Sequence, residues 1–202
     1  MERSTIKTQT TNTMRKLPAF NEACGNDSLR PVMSHVYVTP TKVYATNAHI
    51  AAWADTEDVF NEGKDPYTDF IQHIPEQGLL IHKEDWKKMC QGTHYYWKTE
   101  GEVIKVMHKN KRDELIEIEK LSDFGNFPNV EAVIPTTEPV DIFAIGLNPE
   151  ILIDLWKVFK PVTSIVGFKM RFHGIDRPIV VNDVKGNCDC ESLTGLIMPL
   201  FI

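Results

Sequence analysis

The chain has 202 residues, enough to bury one good core or two small ones. Its 42% hydrophobic and 25% charged content is that of an ordinary soluble globular protein, and no apolar run approaches the roughly 20 residues that span a bilayer. A formal charge of -6 excludes a generally basic nucleic-acid coat but leaves room for a local basic face. The opening Met-Glu-Arg-Ser-Thr-Ile-Lys-Thr carries no apolar signal region, so cytoplasmic residence is the expectation. Cys188-Asp-Cys190 invites a metal reading, yet no second Cys/His pair stands at ligand spacing near it, and free thiols are the simpler expectation for all four cysteines. No metal or cofactor is expected.

In chain order, residues 5–9 read as a short polar strand. Residues 13–24 have the apolar spacing of a helix through Met14, Leu17, Phe20 and Ala23, with Gly25 as a stop. Pro18 conflicts with that helix, which must start near Leu17 or kink. Residues 30–38, 42–46 and 50–53 read as three strands, the last two joined by Asn47-Ala48-His49. Residues 55–78 are acidic, rich in turn formers and without a period, and read as a long surface loop.

A buried strand end at 79–81 leads into a short helix over 82–91 with Trp86, Met89 and Cys90 on its apolar side. Strands are expected at 95–99, 103–108 and 115–121, the last from the alternation of Ile116 and Ile118 with Glu117 and Glu119. After a strand at 141–145, Asn148-Pro149-Glu150 combines a capping side chain, a proline at the first helical position and an acid in the first turn. The helix it starts carries Ile151, Leu152, Leu155, Trp156, Val158 and Phe159 and ends at Pro161. Strands at 165–172, 178–182 and 196–200 complete the chain. A strand, a helix and three strands thus recur with a period of about 65 residues, a supersecondary unit that must stack on its neighbours to bury its apolar face.

The stretch Gly125-Asn-Phe-Pro-Asn-Val-Glu-Ala-Val-Ile-Pro135 stands apart. Pro128 and Pro135 push Phe127 and Ile134 towards extended backbone, and neither proline can donate to a sheet ladder. This is a surface connector that still carries four apolar side chains, Phe127, Val130, Val133 and Ile134. It reads either as a junction beside a hydrophobic crevice or as a loop with a few core anchors.

These segments carry a resemblance that spans most of the chain. Arg30-Pro-Val-Met33 followed by Ala45-Thr-Asn-Ala-His-Ile-Ala-Ala52 is similar to the Arg-Pro-Val-Leu and Ala-Thr-Asp-Gly-His-Arg-Leu-Ala strands of the bacterial DNA polymerase III beta sliding clamp. The connector resembles that family's Gly-x-Phe-Pro-Asp-Tyr-x-x-Val-Ile-Pro junction. Ile145-Gly-Leu-Asn148 with its helix, and Ile197-Met-Pro-Leu200, resemble the clamp's closing Gly-Phe-Asn helix and its Met-Pro-Met strand. Asn47, Ala48 and Ile50 depart from the family's Asp, Gly and Arg. A clamp chain has three domains of two units each, whereas about three units are legible in this chain.

The resemblance implies an α+β, DNA-clamp-like fold of repeated β-α-β-β-β units, with helices on one side and antiparallel sheets on the other. Residues 1–136 would form a clamp-like domain of two units, and 137–202 a half-domain of one. It implies no enzyme activity but a processivity accessory that binds polymerase or other partner peptides and associates with duplex DNA through the backbone. An adaptor or decoy that binds the same peptides without a ring is the alternative, and a homo-oligomer is implied if a ring forms. The implied peptide pocket is walled by Thr46, His49, Ile50, Ala51, Pro128, Val133, Met198, Pro199 and Leu200; without the resemblance Met198 and Leu200 would read simply as core. The implied DNA face carries Arg15, Lys16, Lys83, Lys87, Lys88, Lys157 and Lys160, like charges at helical spacing whose repulsion a polyanion would relieve. The same lysines read equally as a solvated face, with Glu84 pairing Lys88 and Asp154 one turn before Lys157.

Overall fold

The computed structural model describes residues 16–60, 71–92, 94–98, 103–107, 112–141, 145–163, 167–183 and 190–200. The expected strand at 5–9, Arg15 and most of the expected strand at 141–145 lie outside them. Among the described residues ten strands form two antiparallel sheets. The larger contains β1 (His35–Val38), β2 (Lys42–Thr46), β3 (Ile50–Asp55), β4 (Leu79–His82), β8 (Phe168–Arg171), β9 (Ile179–Asp183) and β10 (Thr194–Ile197). Their order is β4-β1-β2-β3-β10-β9-β8. The smaller consists of β5 (His94–Lys98), β6 (Val103–Met107) and β7 (Glu114–Glu117) in sequence order. A bridge from Leu80 to Glu119, with N–O distances of 2.9 and 3.0 Å, ties the chain after β7 to the edge of β4.

The seven-stranded sheet is covered on both faces at its central strands, and alternation along them assigns each side chain to one face. Ile50, Ala52, Ala54, Val36, Val38 and Ile197 belong to the main core together with Trp86 and Met89 of α2 (Lys83–Gln91) and Leu155, Val158 and Phe159 of α3 (Pro149–Phe159). Ala51, Trp53 and Leu196 belong to a second core on the opposite face, where Val130 and Phe127 of the connector pack on them. β3 is therefore apolar at every position from Ile50 to Ala54, because each side chain meets a cover. α3 is started as expected, the Asn148 side chain accepting from the Glu150 amide at 2.9 Å with Pro149 in the first turn.

Three expectations change. Of the helix expected over 13–24, residues 13–15 lie outside the described residues, and residues 16–24 hold only a short 3-10 turn, Phe20–Ala23. The Pro18 carbonyl accepts from the Trp86 indole at 2.9 Å and the Ala19 amide donates to Val158 O at 3.0 Å, so backbone groups that a helix would use bind α2 and α3 instead. The strand expected from residue 30 begins at His35, and Pro31–Ser34 is 3-10. The expected loop at 55–78 opens with α1 (Thr56–Phe60), where Thr56 is fully buried and donates its hydroxyl to Thr39 O at 2.8 Å. Val59 and Phe60 enter the core beneath α2, the Phe60 ring lying edge-on to Trp86 at 6.1 Å. Acidic composition concealed a helix whose inward side is apolar.

Candidate functional site

Three segments distant in sequence meet on the face opposite the helices. The first is the β2–β3 turn. Thr46 donates its hydroxyl to Ile50 O at 2.8 Å and accepts from the Ala48 amide at 3.2 Å. Asn47 Oδ1 accepts from the His49 and Ile50 amides at 3.0 and 2.9 Å. Asn47 thus supplies the side-chain oxygen for which the related motif uses Asp, and Ala48 takes the glycine position with φ of 73°. The second segment is the end of β10, where the Met198 amide donates to His49 O at 2.9 Å. The third is the connector.

Between them lies a crevice of about 260 Å³, room for one or two apolar side chains rather than a cofactor. Thr46, His49, Ile50, Ala51, Pro128, Val133 and Met198, all expected from sequence, line it. Pro199 and Leu200 do not: the Leu200 amide donates to Gly146 O at 3.0 Å, and its side chain is half exposed beyond the lining. Arg30, Met33, Ala48, Asn129, Val130 and Leu196 also line the crevice and were not expected. Two signals for them were present: Leu196 lies two residues before Met198 on a strand and so shares its face, and Arg30 and Met33 end the quoted Arg-Pro-Val-Met motif. Arg30 at the rim pairs with Asp27 at 2.7 Å, which holds that carboxyl below its usual range.

Beyond Val130, the short 3-10 turn Glu131–Val133 is pinned to β2. Glu131 Oε1 accepts from Lys42 Nζ at 3.0 Å and from the Tyr44 hydroxyl at 2.8 Å. The hydrogen bond from Lys42, then that from Tyr44, lowers the Glu131 carboxyl, while burial first and the carboxylate second push the Tyr44 phenol up.

The expected basic residues are divided. Lys83 donates to Gly25 O at 3.2 Å and to the Asn26 side chain, so it fastens a loop. Lys88 pairs with Asp85 at 2.6 Å, not with Glu84 as expected, and Lys157 pairs with Asp154 at 2.8 Å. A hydrogen bond to the neighbouring acid raises both lysines. Lys16, Lys87 and Lys160 are exposed and form no ion pair among the described residues. Cys24 and Cys90 are buried or nearly so, and burial pushes the Cys90 thiol up to about 12, which keeps it a thiol. Cys188 lies outside the described residues.

No family model and no curated protein matches the chain. Solved structures do. The sliding clamp of Bacillus subtilis is 13% identical with a TM-score of 0.56, over 100% of this chain and 67% of that one. The Helicobacter pylori beta clamp in complex with diflunisal is 9% identical with a TM-score of 0.60, over 93% and 65%. The Caulobacter crescentus DNA polymerase sliding clamp is 15% identical with a TM-score of 0.60, over 91% and 63%. The chain spans about two thirds of the length of the clamp chains it matches. At these identities the likeness is one of architecture, and it is specific: the chain has the α+β fold of the bacterial sliding clamps.

Proposed function

We propose that this chain is a clamp-like replication accessory protein that captures a short hydrophobic peptide from a DNA polymerase or another replication partner. The observation that carries the reading is the convergence of the 46–50 turn, the connector and the end of β10 on one apolar crevice. It has adaptable Met198 and Met33 in its walls and Thr46, Asn129 and His49 at hand for orientation. Peptide and DNA would not compete, because the crevice and the helices occupy opposite faces of the sheet. Duplex DNA would be held through phosphates by Lys16, Lys87 and Lys160, with no base readout and no chemistry performed on it.

In this reading residues 1–136 would supply two repeat units and 137–202 one, and the pairing of β3 with β10 is what would join them. A ring would need several copies, four if a twelve-unit circle is kept, and a cytoplasmic setting belongs to the same reading. The test is fluorescence anisotropy with a labelled Gln-Leu-x-Leu-Phe peptide. Saturable binding is expected, and no binding at high micromolar protein overturns peptide capture.

One observation favours the ringless adaptor as a second reading. Three of the expected DNA lysines, Lys83, Lys88 and Lys157, are already engaged within the chain, in a protein of charge -6. Light scattering at micromolar concentration and retention on circular against linearised duplex DNA separate the two. A monomer that does not stay on circles favours the adaptor.

A further inference from the structure

We propose that a second crevice, on the other side of the connector, receives an arginine side chain flanking the apolar anchors of the captured peptide. The inference rests on the peptide-capture reading of the first crevice. The second crevice has a volume of about 560 Å³, and its walls include Tyr37, Tyr44 and Phe127 beside two carboxylates, Glu76 and Glu131. The aromatic rings form a row: Tyr37 stacks on Phe127 with centroids 4.9 Å apart and 28° between planes, and on Tyr44 at 6.1 Å and 23°.

The charge in this crevice is incompletely neutralised. Lys42 Nζ and the Tyr44 hydroxyl both bond Oε1 of Glu131, so Oε2 of that carboxylate has no partner among the described residues. Glu76 is exposed and in no ion pair among the described residues. Among the described residues no lysine or arginine lines the wall. A row of aromatic rings beside free carboxylate oxygens favours a cation, since the ring face and the carboxylate attract it together. A planar guanidinium serves both better than an ammonium, because it stacks and donates through a fork.

The position of the crevice identifies the cation as part of the same peptide. Pro128, Asn129 and Val130 wall both crevices, forming a ridge between them. An extended peptide with its anchors in the first crevice reaches the second by crossing that ridge within a few residues, at about 3.3 Å per residue. The occupant is therefore a basic residue adjacent to the apolar motif, not a separate molecule.

The test uses the full chain and four labelled peptides, the Gln-Leu-x-Leu-Phe anchor extended through a short glycine spacer by arginine or by neutral citrulline, at either end. At one end the arginine peptide should bind about tenfold more tightly than its citrulline partner at low salt. That preference should shrink with added salt and fall away in Glu76→Gln and Glu131→Gln. Glu76→Gln should leave the affinity for the unextended anchor unchanged. Equal affinity for arginine and citrulline at both ends, with the anchor still bound, overturns this inference alone. An arginine preference that survives both substitutions also overturns it, by placing the cation elsewhere. An anchor that does not bind at all sinks the capture reading and this inference with it.

Discussion

The Met198 amide donates to the His49 carbonyl at 2.9 Å, so the last described strand ends against the β2–β3 turn nearly 150 residues earlier in the chain. That bond extends the β10–β3 pairing, in which Ile197 faces Ile50, by one further step. It fixes the Met198 side chain over the crevice on the same face as Leu196. Because backbone makes the link, truncating the side chain leaves it intact. Met198→Ala should weaken the anchor peptide about tenfold, as loss of a well-placed apolar contact does. Thermal melting should change little, and anisotropy and melting on the same samples check both.

Ala48 sits at φ 73°, where a methyl group is strained. That conformation costs a non-glycine residue about 1–2 kcal/mol. Glycine would lose about 0.5–1 kcal/mol of this advantage to the freedom it has in the unfolded chain. Ala48→Gly should therefore stabilise the protein by about 0.5–1 kcal/mol, raising Tm by roughly 1–4 °C. A lower Tm in calorimetry would show that the turn is not held as described.

Glu131 is a carboxyl lowered in the folded protein by its hydrogen bonds to Lys42 and Tyr44. Such a group adds stability above its unfolded value, and that stability is lost as pH falls through the folded value. Wild type should exceed Glu131→Gln in stability at pH 7, with the gap closing as pH drops below the ordinary glutamate value of 4.5. The carboxylate is 55% exposed, so the gap should not exceed about 1 kcal/mol. Urea unfolding of both proteins across that range measures it.

Gly195 on β10 lies directly under α3. A Cβ there would stand 2.7 and 2.8 Å from the two methyl carbons of Leu155, itself fully buried. Gly195→Ala should cost about 1–3 kcal/mol by overpacking. Leu155→Ala should cost about 2–5 kcal/mol by leaving a cavity. Combined, they should cost clearly less than their sum, because the new methyl enters the space the leucine vacates. Strict additivity in denaturant unfolding would contradict the packing described.

The lysines should separate by what they touch. Replacing Lys16, Lys87 and Lys160 by Glu should lower the salt slope of duplex binding by about 2–3, close to one per phosphate contact. Lys88→Ala and Lys157→Ala should matter less, since each first has to leave an acid one turn away. Lys83→Ala should lower stability, because it releases the Gly25 carbonyl and Asn26. Binding isotherms at several salt concentrations together with melting curves make the distinction.

Sequence alone determined the parts of this protein that depend on neighbours along the chain. The Asn148-Pro149-Glu150 start of α3, the strands β2 and β3 and the two-proline connector are all written in local residue chemistry, and quoted motifs placed seven crevice residues. What local chemistry could not determine was competition for the same atoms by distant ones. Residues 16–24 have a helical apolar spacing, yet Trp86 and Val158 claim the Pro18 carbonyl and the Ala19 amide. Lys83 and Lys88 look alike on one helix, but Lys88 keeps to Asp85 one turn away, whereas only the fold brings Gly25 and Asn26 to Lys83. The second crevice is likewise tertiary, because Tyr37, Glu76 and Phe127 become neighbours only when the connector crosses the sheet. Periodicity reports which side of an element is apolar; which partner covers that side, and which polar groups it engages, is decided by packing between segments far apart in the chain.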